Sequence, residues 1–222
     1  MNTEVTPHWH KPHEGEHRLS VSLVVLLVIA LQFALPKDLS LGIQRYICAV
    51  EALLLIALVA LTPRRIGSHH RPTRNLSIAL TSVMTISNVA SAAKLIEGLV
   101  QGSIDNANKL LLSGGSIWLA NIVIFSLWFW ELDRGGPGAR AEGRKPVPDF
   151  LFPQMASPEY SEKGWHPKYF DYFYISVTNA SAFSPTDTAP LSRWAKLLML
   201  VQSLTSLVTV GLVIARAVNI LK

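Results

Sequence analysis

Residues 172–193 read Tyr172-Phe-Tyr-Ile-Ser-Val-Thr-Asn-Ala-Ser-Ala-Phe-Ser-Pro-Thr-Asp-Thr-Ala-Pro-Leu-Ser-Arg193 and stand directly ahead of the last long apolar run of the chain. The segment is too polar and too interrupted by proline to be a spanning helix. It is also too aromatic and too poor in charge to be an ordinary solvated loop. Irregular backbone at membrane depth persists only where protein or a water-filled cavity surrounds it. The pattern therefore predicts an amphipathic half-helix, a turn of small polar residues and an Asp, all folded back into a bundle of membrane helices.

The rest of the chain supplies that bundle. Half of the 222 residues are hydrophobic and 16% are charged, against about a quarter charged in soluble domains. The apolar residues come in blocks, which predicts an all-α, multi-pass protein of the cell (inner or plasma) membrane, with the lipid bilayer as its first partner. About five spans are expected, at residues 19–35, 46–61, 75–100, 110–130 and 194–221. Pro36 and Pro63 close the first two, and Trp128-Phe-Trp130 forms an interfacial anchor at the end of the fourth. Three parts follow: a polar His-rich tail over 1–18, helices 1–3 over 19–109, and a module over 110–222. The module comprises an outer helix (110–130), a Gly/Pro-rich connector (131–168) expected to be too broken for regular structure, the loop-like segment (169–193) and an inner helix (194–222). No cleavable signal peptide is evident ahead of the first apolar run.

Net charge is +5, and the basic residues sit in short loops beside apolar blocks. They report topology, and no nucleic-acid partner is expected. With five spans one face collects most of them, while Lys37, Arg45, Lys109 and Lys222 fall on the other. The positive-inside rule then places the N-terminus in the cytoplasm. The single Cys48 excludes an internal disulfide framework and a cysteine metal cluster. His8, His10, His13 and His17, beside Glu14 and Glu16, match no defined metal spacing and read as a flexible tail; no metal or other cofactor is expected.

Several polar residues fall inside the predicted spans. Ser77, Thr81, Thr85 and Asn88 form one stripe on the third helix, suited to close helix contact or to the wall of a hydrated path. On the last helix Gln202, Thr205, Thr209 and Arg216 share a face, and Gly211 allows a bend or a close approach. That face either lines a pore or meets the stripe of the third helix. Glu51, Lys94, Glu97 and Arg216 are intramembrane charges that fall in the same half of the membrane. Charges at that depth tend to pair, so Glu51 and Glu97 are expected to neutralise Arg216 and Lys94.

The segment from Thr178 to Arg193, followed by the last helix, resembles the pore region of two-helix potassium channels. Asp187-Thr-Ala-Pro-Leu-Ser-Arg193 fits the part of that pattern after the filter, with Asp187 in the place of its terminal Asp. The resemblance implies a pore helix near residues 170–178 and an inner, pore-lining helix carrying Gln202, Thr205, Thr209 and Gly211. It further implies a homotetramer, because a single pore loop cannot enclose a pore, and small inorganic ions as the permeant species. Residues 181–186 depart from the filter Thr-Val-Gly-Tyr-Gly and read Ser181-Ala182-Phe183-Ser184-Pro185-Thr186. Pro185 fixes its own φ and restricts Ser184, so a ladder of backbone carbonyls is not expected. Selectivity would rest on the side chains of Thr178, Asn179, Ser181, Ser184 and Thr186 and on a ring of Asp187, which favours cations. The family opens its loop to the outside, opposite to the orientation the charge rule gives. The whole chain also resembles bacterial multi-pass membrane proteins sharing Asp149-Phe-Leu-Phe-Pro-Gln-Met155 and Phe183-Ser-Pro-Thr-Asp187, which brings no activity with it.

The expected function is thus a channel-like membrane protein passing small cations. The alternatives are a non-conducting relative whose loop is a packed plug, favoured by space-filling Phe183 and Pro185, and a proton-coupled transporter using Glu51, Glu97, Lys94 and Arg216. No internal repeat supports the transporter. No HExxH, GxSxG or paired cysteines point to an enzyme, and nothing ties Asp149, Asp171 and Asp187 into one acid–base site.

Overall fold

The computed structural model describes residues 7–104, 106–182 and 187–220. It is 74% helical with little sheet. α1 (Arg18–Ala34) and α2 (Gln44–Leu61) stop just before Pro36 and Pro63, as the missing N–H of proline requires. α3 (Arg71–Val100) begins with Pro72 in its first turn, where proline is tolerated. α4 (Ala107–Leu132) is capped by Asn106, whose side chain accepts from Lys109 N. After two short helices, α5 (Pro137–Ala141) and α6 (Pro153–Ala156), come the 14-residue α7 (Tyr169–Ala182) and the long α8 (Arg193–Ile220).

α2, α3, α4 and α8 are each long and apolar enough to cross a membrane. α1 is apolar but shorter, at 17 residues, or about 26 Å at 1.5 Å per residue. Leu23, Leu53, Ile56, Leu200, Leu204 and Leu207 are exposed along these helices, as side chains facing hydrocarbon would be.

α4 is the axis of the bundle and packs against α1, α3, α7 and α8. Its sequence is apolar all round, as a helix surrounded by others must be. Small residues let its neighbours approach closely: a Cβ on Gly114 would lie 2.6 Å from Val213 Cγ2 of α8.

The connector carries only short elements of two to five residues, in keeping with its Gly and Pro content, but it is packed against the bundle. Two short antiparallel pairs pin it and the tail. β1 (Glu16–His17) pairs with β2 (Arg65–Ile66), Glu16 opposite Ile66; β3 (Phe150–Leu151) pairs with β4 (Ala189–Pro190), Phe150 opposite Pro190. The second pair brings together the stretches around Asp149 and Asp187, 38 positions apart in sequence. The glycines serve close approaches: a Cβ on Gly138 would lie 2.3 Å from Ser68 O, and Gly15, at φ 78°, touches Ile66. The tail is likewise packed from residue 7, with Trp9 buried and His13 N donating to Ala141 O. Tail, α2–α3 turn and connector form a folded cap over one end of the bundle.

Candidate functional site: the half-helix socket and the charged layer beneath the cap

α7 lies in a socket between α4 and α8, held by interhelical polar contacts. Ser176 Oγ donates to Ile122 O of α4 (2.6 Å). Gln202 of α8 donates from Nε2 to Ser176 O (3.0 Å) and Ser176 Oγ (2.6 Å). Asn179 Nδ2 donates to Gln202 Oε1 (2.8 Å) and Met199 O (2.9 Å), while Ser203 Oγ donates to Asn179 Oδ1 (3.1 Å). One turn on, Ser206 Oγ donates to Ala180 O (2.6 Å) and accepts from Trp118 Nε1 (2.6 Å). Ser176, Asn179, Gln202 and Ser206 are all buried within the single chain. Each hydrogen bond of this kind is worth about 0.6 kcal/mol on average in a membrane bundle, with a maximum near 1.7.

The residues expected to form a filter and a pore lining divide accordingly. Gln202 and Thr209 face the interior of the chain; Gln202 meets α7, whereas Thr209 lines a pocket with Gly114 and Trp118 of α4. Thr205 is half-buried, its hydroxyl on Val201 O; Gly211 is exposed with open space where a Cβ would stand. Asn179 is consumed by the socket. The hydroxyls of Thr178 and Ser181 bond to carbonyls of their own helix, and Ala182 and Asp187 are exposed. The helix expected near 170–178 is longer, running from Tyr169 through Ala182. Phe183, Ser184, Pro185 and Thr186 lie outside the described residues.

The stripe on α3 is used in packing. Trp128 Nε1 donates to Thr85 Oγ1 (2.9 Å), Asn88 Nδ2 to Ile117 O (3.4 Å) and Ser77 Oγ to Glu131 Oε2 (2.9 Å). The proposed neutralising cluster is corrected in one respect. Glu51 is fully buried and neither carboxylate oxygen has a partner, so it neutralises neither Lys94 nor Arg216. Lys94 Nζ donates to Ser40 O (2.6 Å), Glu97 is exposed and accepts from Gln101, and Arg216 donates to Gly102 O (3.1 Å) and Ile104 O (3.3 Å). Lys94 and Arg216 therefore reach carbonyls at the end of the bundle away from the cap, as long basic side chains do near helix ends.

Sequence reasoning missed the densest polar site, the layer of charge beneath the cap. Arg140, counted as a loop charge, is 2% exposed. It donates to Trp130 O (2.6 Å) and Asp133 O (3.0 Å), lies 3.5 Å from Glu16 Oε1, and stacks over the Tyr172 ring at 4.9 Å. Glu16 also accepts from Trp130 Nε1 (2.9 Å) and Tyr169 N (2.7 Å). Asp133 accepts from Tyr172 OH (2.6 Å) and Asp149 N (2.8 Å); Asp149 accepts from Arg134 N and Trp194 Nε1, both at 2.9 Å. Arg134, at φ 52°, turns the chain out of α4 and donates to Trp9 O (2.7 Å). Tail, connector, α4, α7 and α8 are thus tied through one buried network. No periodic pattern marks these residues; the only signal was acidic and basic residues mixed with aromatics over 128–149. Beside the layer, His13 stacks on His166 with ring centroids 3.8 Å apart. Burial, then the proximity of His166, Arg140, Arg134 and Lys168, holds the His13 imidazole at about 4. Among the described residues no group of three or more His, Cys, Asp or Glu could hold a metal ion.

Comparison of the chain with family models, with curated proteins and with solved structures returns no match.

Proposed function

We propose that this is a multi-pass membrane protein whose channel-like half-helix is a structural plug, and that the protein does not pass inorganic ions through a pore lined by α8. The observation that carries the reading is the reciprocal set Ser176–Gln202–Asn179–Met199, which commits Gln202 of the polar face of α8 to holding α7. Between residues 197 and 218 the exposed side chains of α8 are apolar, with Leu200, Leu204, Leu207 and Val218, and are suited to lipid rather than to a wet pore. The charged layer extends the same role: it fixes the start of α7 through Tyr169 and Tyr172 and clamps the cap onto the bundle, so the working surface is the rigid cap at the membrane face. The five-span topology and the re-entrant course of α7 belong to this reading.

Ion flux through purified protein in liposomes, with potassium, sodium, protons and chloride tested in turn, checks it. Zero flux is expected for the intact protein and for Asp187→Asn, together with a monomer in mild detergent. Cation flux that falls in Asp187→Asn, from a tetramer, would instead establish the conducting reading with an acidic mouth.

A further inference from the structure

The sector formed by α1, α2 and α3 carries a second polar feature, independent of α7. The buried face of α2 reads Gln44, Cys48, Glu51, Leu55 and Leu58. At one end Gln44 joins Gln32 of α1 and Ser87 of α3 in a closed hydrogen-bonded set. Glu51 stands two turns further along, fully buried, with both oxygens unpartnered. The titratable or charged groups on the buried faces of the three helices, besides Glu51, are Cys48 on α2 and Arg18 on α1. Arg74 on α3 is half-buried at the cap end, and Lys94 lies at the opposite end with its amine on Ser40 O. An isolated carboxylate in such surroundings costs far more than a neutral carboxyl group.

The side of this sector facing the cap is not solidly packed. An outer cavity of about 30 Å³ is lined by His69, Arg74, Ser77 and Glu131, and an inner cavity of about 20 Å³ by Ser22, Leu55 and Thr81; Arg18 and Ser77 line both. A water needs roughly 10–15 Å³ and two to four polar partners. Both volumes suffice. Arg18 Nε and Ser22 Oγ at the inner cavity are buried polar atoms that no protein group hydrogen-bonds, and Arg74 Nε at the outer one has only a long ion pair with Glu131 (4.0 Å), which supplies the reason for water there. Leu55, in the wall of the inner cavity, is one helical turn from Glu51 on the same face of α2.

We propose that Glu51 is a proton-binding site inside the membrane, reached from the cap end through these two hydrated cavities in series. The path is a half-path: it ends at Glu51, ahead of the closed Gln32–Gln44–Ser87 set, and so supports proton uptake and release on one side rather than conduction. It does not rest on the role given to α7.

Infrared difference spectroscopy of the protein in nanodiscs at neutral pH, comparing the intact chain with the near-isosteric Glu51→Gln, is the test. A carboxylic C=O band lost in the variant is expected, and that band should shift when water is replaced by D2O. Ser22→Ile, which fills the inner cavity, should leave the band in place and slow its shift by at least about tenfold. Absence of a carboxylic band assignable to Glu51 would overturn the proposal, as would an exchange rate unchanged by Ser22→Ile. Should Glu51→Gln not fold, the intact protein still reports through dicyclohexylcarbodiimide. The carboxyl proton passes to a carbodiimide nitrogen, the carboxyl oxygen bonds to the central carbon, and the adduct rearranges to a stable N-acylurea. Mass spectrometry should find the full reagent mass on Glu51, and an unmodified Glu51 overturns the assignment.

Discussion

Gln202→Leu separates a socket that holds α7 from a polar stripe that merely happens to be buried. Leu is close in volume to Gln, so the substitution leaves little void and the effect is chiefly polar. It removes the two bonds from Nε2 to Ser176 and the one that Oε1 accepts from Asn179. Ser176 Oγ keeps Ile122 O, and Asn179 Nδ2 keeps Met199 O, so one amide hydrogen is orphaned at a buried site. Three bonds at about 0.6 kcal/mol, plus roughly 1 kcal/mol for the orphaned donor, give a loss of about 3 kcal/mol. The bonds share residues and are coupled, so a cycle with Asn179→Leu should show a coupling energy of roughly 1 kcal/mol or more. The assay is reversible unfolding in mixed micelles followed by tryptophan fluorescence, to which Trp118 and Trp194 at the two ends of the α7–α8 contact contribute. A Gln202→Leu protein within about 0.5 kcal/mol of wild type, the range of ordinary surface substitutions, would show the socket to be incidental and that face of α8 free for another use.

Other consequences are open to the same approach. Arg140→Met removes the one cation between Glu16 and the carbonyls of Trp130 and Asp133; it should cost about 3–5 kcal/mol and expose residues 7–17 to limited proteolysis ahead of global unfolding. Gly138→Ala places a methyl against Ser68 O with only backbone to give way, and a drop of roughly 1–3 kcal/mol in unfolding free energy is expected. Because His13 is held at about 4 against an ordinary 6.5, only the unfolded chain takes up a proton there between those values. Its contribution is therefore fully present above about pH 6.5 and lost as the pH falls toward 4. After discounting for partial exposure this amounts to about 1 kcal/mol, and a pH titration of stability should lose that component in His13→Gln.

What the sequence made legible was whatever depends on local pattern. Apolar runs ended by Pro36 and Pro63 locate α1 and α2 because proline cannot continue a helix beyond its first turn. A short helix ahead of α8 could be read because Pro185 and Pro190 forbid a continuous span. The polar residues Gln202 and Asn179 were identifiable as special, but not as partners. Their meeting depends on α7 packing between α4 and α8, a tertiary fact with no periodicity of its own. The charged layer was hidden for a stronger reason: Glu16, Asp133, Arg140 and Tyr172 are adjacent only after the tail, the connector and α7 converge. A rule that counts Lys and Arg by loop assigns Arg140 to the surface, whereas the fold removes it from water.

The two buried polar systems, the socket and the charged layer, follow from one constraint. Burial of apolar surface, the main driving force in water, does little between membrane helices, because lipid is as apolar as leucine. If α7 turns back within the bilayer as proposed, it also leaves its end groups at depth, where each unsatisfied backbone polar group costs several kcal/mol. Its position must therefore come from directional contacts. α7 has them at both ends: Tyr169 N on Glu16 and Tyr172 OH on Asp133 at its start, and Ala180 O accepting from Ser206 near its finish. Cutting the first set should release the cap with α7, whereas cutting the second should loosen α7 alone and leave the tail protected. Proteolysis of Arg140→Met beside Gln202→Leu therefore distinguishes the two anchors, and simultaneous release of the tail in both variants would show that cap and socket act as one cooperative unit.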